Sequence, residues 1–146
     1  MGTLTEVIGV VSSDRQRFEP VEALVDTGAT YTMLPSSLLR DLGITPIETR
    51  TFILADGQSI QRDIGEAVVQ IGDRALTTLV VFADDEAMPL LGAFTLEGFS
   101  LAPDPVRQQL VSVTALAVGI LEVNQDGEVT QSLVDPHQKQ SSARRA

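Results

Sequence analysis

The sequence predicts a mainly β domain, a barrel or a sandwich, with one or two short helices. Two observations support this fold class. Short runs rich in Val, Ile, Leu and Thr recur along the chain, and turn-forming Gly, Asp, Asn or Pro residues separate most of them. The chain has 146 residues, 43% of them apolar, which is enough to bury a core of its own.

The predicted strands follow one another at short intervals along the whole chain. Each is a segment of apolar and β-branched residues bounded by turn signals. The strands are predicted at residues 6–11, 17–25, 31–34, 48–54, 59–64, 66–71, 75–82, 88–92, 101–104, 109–113, 116–123 and 128–134. Most apolar side chains of residues 66–82 are expected to be buried.

Two short helices interrupt the strands. Pro35 is expected to end the third strand, and Ser36 is a suitable N-cap for a helix that continues through Leu42. Gly43 is then expected to terminate this helix. Residues 93–98 are predicted to form one or two further helical turns.

Several turns have clear local signals. Asp-Gly within residues 55–58 predicts a hairpin, and residues 72–74 and 124–127 predict two more turns. Residues 84–86 are three adjacent acids, which are more typical of a solvated loop than of a metal site. Residues 135–146 are polar and are expected to be disordered.

Composition excludes several classes of function. The net charge of −10 opposes nucleic-acid binding. Without cysteine there is no thiol catalysis or disulfide scaffold, and His137, the single histidine, cannot build a Ser-His-Asp triad or a multi-His zinc site. For an enzyme without a cofactor, carboxylates are the best remaining acid/base groups. No membrane span or secretory signal is visible, so no membrane partner is expected and the predicted location is cytoplasmic.

Residues 22–30 contain the candidate for chemistry. Residues 23–25 predict a buried strand that leads directly into Asp26, and Thr27 and Gly28 follow as a turn. A carboxylate at the end of a buried strand is costly unless it is paired or hydrogen-bonded. Asp and Gly are also common turn residues, so the motif alone leaves open that Asp26 only starts a turn.

With its surroundings, this motif resembles the retropepsin-like aspartic proteases, the single-lobed relatives of pepsin that include the retroviral proteases. The resemblance covers about residues 7–113 and is closer to bacterial-type members than to viral ones. Residues 24–29 match the family's catalytic loop. The hairpin at residues 55–58 lies where the family has its flap, although an exposed hairpin without that role is the alternative. Residues 89–92 match the apolar-apolar-Gly segment beneath the loop.

The resemblance implies an acid-protease barrel and a role for each matching residue. Asp26 would be catalytic, and Thr27 and Gly28 would support the catalytic loop. The other implied site residues are Ala29, Ala55, Asp56 and Gly57, which would contact the substrate, and Leu90, Leu91 and Gly92, which would pack beneath the loop.

The family's chemistry needs two carboxylates that face one water molecule, but this chain has a single Asp-Thr-Gly. The resemblance therefore implies a homodimer whose two-fold axis passes between two copies of Asp26. Two carboxylates at that distance share one proton, so one acts as general base and the other as proton donor. The implied partners are a peptide or protein substrate and a second copy of the chain, and no cofactor is implied.

The sequence also departs from the family pattern. In retroviral enzymes an Arg often follows the second Gly and pairs with an Asp just after the catalytic loop, whereas Ala93 and Thr30 occupy these positions here. Because both partners are absent, no charge is left buried and unpaired. The chain also continues past the usual end. We expect one domain over residues 1–134, with residues 114–134 as a β extension whose role in dimerisation or self-processing stays open.

Three functional hypotheses follow. The first is an aspartic endopeptidase that hydrolyses peptide bonds through the Asp26 dyad. The second is a catalytically silent peptide-binding or dimerisation module, because a fold does not imply its function. The third is a structural β domain in which Asp26 is only a turn residue.

Overall fold

The structure is a computed structural model that describes residues 3–114, 120–123 and 129–132, with side chains for residues 3–114. It is mainly β with two short helices in these residues, which confirms the predicted fold class. The strands are β1 (Thr5–Val11), β2 (Phe18–Val25), β3 (Thr32–Pro35), β4 (Glu48–Ile53), β5 (Ser59–Ile71), β6 (Arg74–Ala83), β7 (Leu90–Leu91), β8 (Leu101–Asp104), β9 (Gln109–Ser112), β10 (Ile120–Val123) and β11 (Val129–Ser132). The helices are α1 (Ser36–Asp41) and α2 (Ala93–Gly98).

Seven strands form one sheet in the order β1-β2-β7-β3-β6-β5-β4, and an additional pairing of β1 with β5 closes it into a barrel. The 13-residue β5 makes this closure possible because its two halves have different neighbours. Residues 59–64 pair with β4, and residues 68–70 pair with β1. Strand β4 therefore lies outside the closed ring, attached to the first half of β5.

The prediction of two separate strands at residues 59–64 and 66–71 was wrong. Gly65 lies between them but stays in the ladder, opposite Val80 of β6. A side chain at this position would bring a Cβ to 2.9 Å from the carbonyl oxygen of Thr45. Here Gly permits a close approach of two backbone segments and does not interrupt the strand.

The start of α1 also differs from the prediction, whereas its end agrees. Pro35 occupies the N-cap position, no side chain caps the helix, and Ser36 is the first helical residue. At the other end Gly43 has φ +79°, and its N–H donates to the carbonyl oxygen of Arg40 at 3.0 Å. The N–H of Ile44 donates to Leu39 O at 2.9 Å, which completes a Schellman motif.

The core fills the barrel and extends beneath the two helices. Its largest fully buried apolar side chains include Phe99, Ile8, Leu34, Leu39 and Leu91. Burying a side chain of this size contributes about 1.5–3 kcal/mol. Leu76, predicted in a mostly buried strand, is 37% exposed. No described helix is long and apolar enough to cross a membrane.

The chain divides into two compact units, Met1–Val113 and Thr114–Ala146. The first unit includes β8 and β9, which form a separate two-stranded sheet. In the second unit β10 and β11 pair antiparallel, with Ile120 opposite Ser132. The predicted turn at residues 124–127, the beginning of the strand predicted at 116–123 and the predicted tail at 135–146 lie outside the described residues. That residues 114–134 extend the domain stays a prediction.

Candidate functional site

Strand β7 organises the site because it is inserted between β2 and β3. It runs parallel to β2, with Leu90 opposite Leu24 and Leu91 opposite Val25. It runs antiparallel to β3, with Leu90 opposite Met33. The chain must therefore pass from β2 to β3 across the end of β7. We call this connection, residues 26–31, the Asp26 loop.

Backbone hydrogen bonds fix Asp26 at the start of this loop. Its N–H donates to the carbonyl oxygen of Leu91 at 3.0 Å, and its own carbonyl oxygen accepts from the N–H of Ala29 at 3.1 Å. The side-chain Oδ1 accepts from the N–H of Gly28 at 2.9 Å. Asp26 is half-buried, and its carboxylate forms no ion pair within residues 3–114. The group is therefore oriented while its second oxygen can accept a proton or bind water.

The first turn of α2 supports the same loop from below. The N–H groups of Ala93 and Phe94 donate to the carbonyl oxygens of Ala29 and Thr30, both at 2.8 Å. The first N–H groups of a helix have no partner within the helix, and here the loop provides their acceptors. Ala93 and Thr30, the two positions at which the sequence departs from the family pattern, are each bonded to a neighbour of the other, Ala93 to Ala29 and Thr30 to Phe94.

Gly92, just before α2, is required for this close packing. A Cβ at Gly92 would lie 2.5 Å from the carbonyl carbon and oxygen of Tyr31 and 2.9 Å from the backbone nitrogen of Thr32. The backbone of Gly92 is extended, with φ −93° and ψ 173°, so the constraint is space and not conformation. Leu91 and Gly92 contact the Asp26 loop directly, and the supporting role that the resemblance implies for residues 90–92 stays a prediction.

Three buried threonines form a polar network under the loop that the sequence analysis missed. The Oγ1 atoms of Thr32 and Thr95 are 2.6 Å apart, and those of Thr78 and Thr95 are 2.8 Å apart. Thr32 Oγ1 also accepts from the N–H of Gly92 at 3.1 Å. The network joins β3, β6 and α2, and no local spacing in the sequence reveals it.

We expect Thr95→Val to lower the free energy of unfolding by about 1–3 kcal/mol, because it removes two hydrogen bonds and leaves the buried hydroxyls of Thr32 and Thr78 short of a partner. The measurement is unfolding in urea, in which the midpoint concentration should fall while the m-value, the dependence of the unfolding free energy on urea concentration, stays unchanged. Thr77→Val is the matched control, since Thr77 is exposed on β6 beside Thr78, and its effect should stay within about 0.5 kcal/mol. Equal effects of the two substitutions would contradict a structural role for the network.

The β4–β5 turn, residues 54–58, contains the other predicted site residues. Ala55, Asp56 and Gly57 are all exposed, and Gly57 has φ +89°. The N–H of Leu54 donates to the carbonyl oxygen of Gln58 at 2.7 Å, and Asp56 Oδ1 accepts from the N–H of Gln58 at 3.0 Å. The predicted hairpin is confirmed, and its tip is held by backbone hydrogen bonds and by the side chain of Asp56.

A cleft of about 210 Å³ lies between the Asp26 loop and β4. It is lined by Gly28, Ala29, Thr30, Tyr31, Met33, Phe52, Ile53, Leu54, Ile60, Arg62 and Val81. The structure therefore brings the predicted Gly28 and Ala29 together with the strand that leads into the turn. Asp26, Thr27 and the tip residues 55–57 do not line this cleft. A larger cavity, of about 490 Å³, is lined by none of the predicted site residues.

The acidic segment at residues 84–86 is held by protein groups. Asp84 Oδ2 accepts from Arg62 Nη2 at 3.2 Å, and Asp85 Oδ1 accepts from the N–H of Ser37 at 2.9 Å. The hydrogen bond from Ser37 holds the pKa of the exposed Asp85 below its usual value. Among the described residues, no three His, Cys, Asp or Glu side chains are grouped so that they could hold a metal ion.

A protein-family model described as "gag-polyprotein putative aspartyl protease" matches residues 17–98, more than half of the chain. The chain belongs to the retropepsin-like aspartic protease family. The matched segment contains the Asp26 loop, the β4–β5 turn and α2, so the retropepsin-like part of the chain is the part that builds the cleft.

Several solved structures are similar to this chain, and one of them, with a TM-score above 0.5, supports the fold. The retroviral protease-like domain of Ddi1 from Leishmania major is similar, with a TM-score of 0.53 and 16% identity over 77% of this chain and 89% of that domain. The simian foamy virus protease has a TM-score of 0.47 and 20% identity over 67% of this chain and 94% of its own. The EIAV protease, solved with the inhibitor HBY-793, has a TM-score of 0.49 and 18% identity over 67% of this chain and 88% of its own. No curated protein matches the sequence.

Proposed function

We propose that this retropepsin-like chain is an aspartic endopeptidase that is active as a homodimer, with Asp26 of one copy facing Asp26 of the second. The observation that carries the proposal is the burial and hydrogen bonding of the Asp26 carboxylate. It is half-buried, oriented by the N–H of Gly28 and free of ion pairs within residues 3–114. The sequence contains no second Asp-Thr-Gly, so a partner carboxylate of the same kind must come from another copy of the chain.

The paired carboxylates would share one proton and hold one water molecule between them. One Asp26 removes a proton from this water as it attacks the peptide carbonyl carbon, and the other donates its proton to the carbonyl oxygen, which gives a tetrahedral intermediate. The first Asp26 then passes the proton it took to the peptide nitrogen while the second regains its own, so that the C–N bond breaks and a carboxylic acid and an amine are released. Thr27 is exposed beside Asp26, and its hydroxyl would hydrogen-bond to the loop of the second copy. A C2 axis through the site makes each of these contacts occur twice.

The substrate is expected to bind as an extended peptide between the Asp26 loop and the β4–β5 turn. Main-chain hydrogen bonds supply affinity in this binding mode, and side-chain pockets supply preference. The cleft that receives a side chain is mostly apolar, with Met33, Phe52 and Val81 among its lining residues. Ala29 borders it, and Ala55, Asp56 and Gly57 would cover the peptide as a flap that excludes water.

A peptide library tests the proposal directly. We expect cleavage at acidic pH that a statine-type inhibitor, a mimic of the tetrahedral intermediate, abolishes. Because two copies build one site, the rate should rise with about the second power of protein concentration at low concentrations, at which most of the dimer has dissociated. Sedimentation at the same concentrations identifies that range. Binding of peptides without any turnover would favour the silent peptide-binding module, and turnover by a sedimenting monomer would contradict the shared dyad.

A further inference from the structure

Tyr31 connects the Asp26 loop to β4 across the cleft. It is the single tyrosine of the sequence, and it ends the loop immediately before β3. Its backbone is held tightly, because it lies against Gly92 with no room for a Cβ between them. The position of the Tyr31 side chain is therefore set by the same packing that holds the loop.

Two residues of β4 contact this side chain. Arg50 Nη1 donates a hydrogen bond to the Tyr31 hydroxyl oxygen at 2.9 Å, and the guanidinium carbon of Arg50 lies 5.6 Å from the ring centroid. The ring of Phe52 meets that of Tyr31 edge-on at 6.3 Å between centroids. Phe94 of α2 packs on the same ring at 5.7 Å.

Arg50 and Phe52 are two residues apart, so their side chains leave the same face of β4. They are also the two half-buried residues of this strand, whereas its other four residues are exposed. Among the described strands, β4 pairs with β5 and stands at the end of the sheet. Besides that ladder, the contacts of this face with Tyr31 are what hold β4 toward the Asp26 loop.

We infer that Tyr31 and Arg50 are positioning residues that hold β4, and with it the β4–β5 turn, over the substrate cleft. The inference deepens the proposed function, on which it rests for the role of the turn as a flap. Loss of the Arg50–Tyr31 hydrogen bond lets β4 open more often and weakens peptide binding. The chemistry at Asp26 is left in place, because none of the hydrogen bonds that orient Asp26 involves either residue.

The test is hydrogen exchange of the full chain, followed by mass spectrometry, for Tyr31→Phe, Arg50→Met and the double variant. We expect residues 48–58 to exchange about threefold to tenfold faster in each single variant, because the Arg50–Tyr31 hydrogen bond of the closed state is lost. Arg50→Met also removes the ion pair of Arg50 with Glu48 on the same strand, so Tyr31→Phe is the variant that isolates this hydrogen bond. The double variant should exchange no faster than the faster single variant, since both substitutions break the same contact.

Arg74→Met is the matched control. Arg74 also lies over an aromatic ring, 5.4 Å from the Phe99 centroid, and donates to the carbonyl oxygen of Phe99 at 2.7 Å. It touches neither β4 nor the cleft, so exchange of residues 48–58 should be unchanged. Unchanged exchange in both single variants would overturn the inference, as would an equal acceleration throughout residues 3–114, which would indicate only general destabilisation.

Peptide cleavage supplies the functional measurement. For Arg50→Met, whose side chain does not line the cleft, KM should rise about threefold to tenfold while kcat changes less than about twofold, since binding and not chemistry is affected. A fall in kcat at unchanged KM would overturn the inference. If the wild-type chain cleaves no peptide, the proposed function fails, but the exchange measurement still decides whether the Arg50–Tyr31 contact holds the turn.

Discussion

Asp26→Asn in both copies of the proposed dimer is expected to lower kcat/KM by about 10³-fold or more, because the amide can neither accept the water proton nor donate one to the substrate, and general acid–base groups contribute about 10²–10⁴-fold. The fold should survive. The Asn side-chain oxygen can still accept the hydrogen bond that Gly28 N–H donates to Asp26 Oδ1, and the backbone bonds to Leu91 and Ala29 do not use the side chain. The measurement is kcat/KM on a peptide found in the library.

Asp104→Asn is the control for this substitution. Asp104 Oδ1 accepts from the N–H of Val106, two residues on, at 2.9 Å, as Asp26 Oδ1 accepts from the N–H of Gly28. Unlike Asp26, it also accepts from the N–H of Arg107 and forms an ion pair with that exposed side chain. Asp104 lies at the end of β8 and does not line the cleft. If Asp104→Asn and Asp26→Asn leave the same activity, the Asp26 carboxylate has no special role and the interpretation as a turn residue is favoured.

Mixed dimers separate a shared site from two independent sites. When wild-type protein exchanges subunits with a ninefold excess of Asp26→Asn protein, most wild-type copies pair with a variant copy. Activity per wild-type copy should then fall to about one tenth if the site needs both carboxylates of a C2 dimer. Activity that stays constant through this dilution would show that one Asp26 is sufficient.

Local signals made part of this structure predictable from the sequence. Gly43 terminates α1 because a left-handed residue is needed there, and the Asp-Gly pair at residues 56–57 forms the predicted hairpin. Asp26 lies, as predicted, at the end of a strand and at the start of a turn. In each case the residues that specify the feature are neighbours in the sequence.

Features decided by distant residues were not predictable in the same way. Pro35 serves as N-cap because it is still paired in β3, opposite Ala83 of β6, and this parallel pairing has no local signal. The continuity of β5 through Gly65 likewise depends on the ladder with β6. Local propensity favoured a break, but tertiary pairing decided the outcome.

The supports of the site are distant contacts as well. Thr32 and Thr95 are 63 residues apart in the sequence, and Tyr31 and Arg50 are 19 apart. Neither pair has a periodic spacing or a motif that would indicate it. Resemblance to a family identified the Asp26 loop and the segment 90–92 beside it, but the threonine network and the Arg50–Tyr31 contact became visible only from the packing.

Gly92→Ala is expected to lower the free energy of unfolding by about 1–3 kcal/mol or more, because an added methyl group in a fully packed position forces the backbone to move. All three nearest atoms belong to the backbone of Tyr31 and Thr32, so no flexible side chain can yield. The melting temperature should fall by roughly 4–8 °C for each kcal/mol in a domain near 100 residues. The measurement is thermal unfolding followed by circular dichroism.

Gly98→Ala is the matched control at the other end of α2. Apart from its chain neighbours and the backbone of its own helix, no atom lies within 4 Å of a Cβ built at Gly98, and its φ is not positive. Ala should therefore be neutral or stabilising by up to about 1 kcal/mol in the helix. A Gly92→Ala protein as stable as Gly98→Ala would contradict the close packing beneath the Asp26 loop.

Activity then distinguishes a loss of stability from a displaced loop. Well below the melting temperatures of the wild-type and Gly92→Ala proteins, the variant is still almost entirely folded, so a loss of stability alone should leave kcat/KM unchanged. The methyl group, however, pushes against Tyr31 at the end of the Asp26 loop. It also displaces the backbone next to Leu91, whose carbonyl oxygen accepts the hydrogen bond from Asp26 N–H. We therefore expect kcat/KM to fall about tenfold or more in folded Gly92→Ala protein, since small misplacements of reacting groups cost up to about 10²-fold. Full activity of the folded variant would show that the loop tolerates movement of its base.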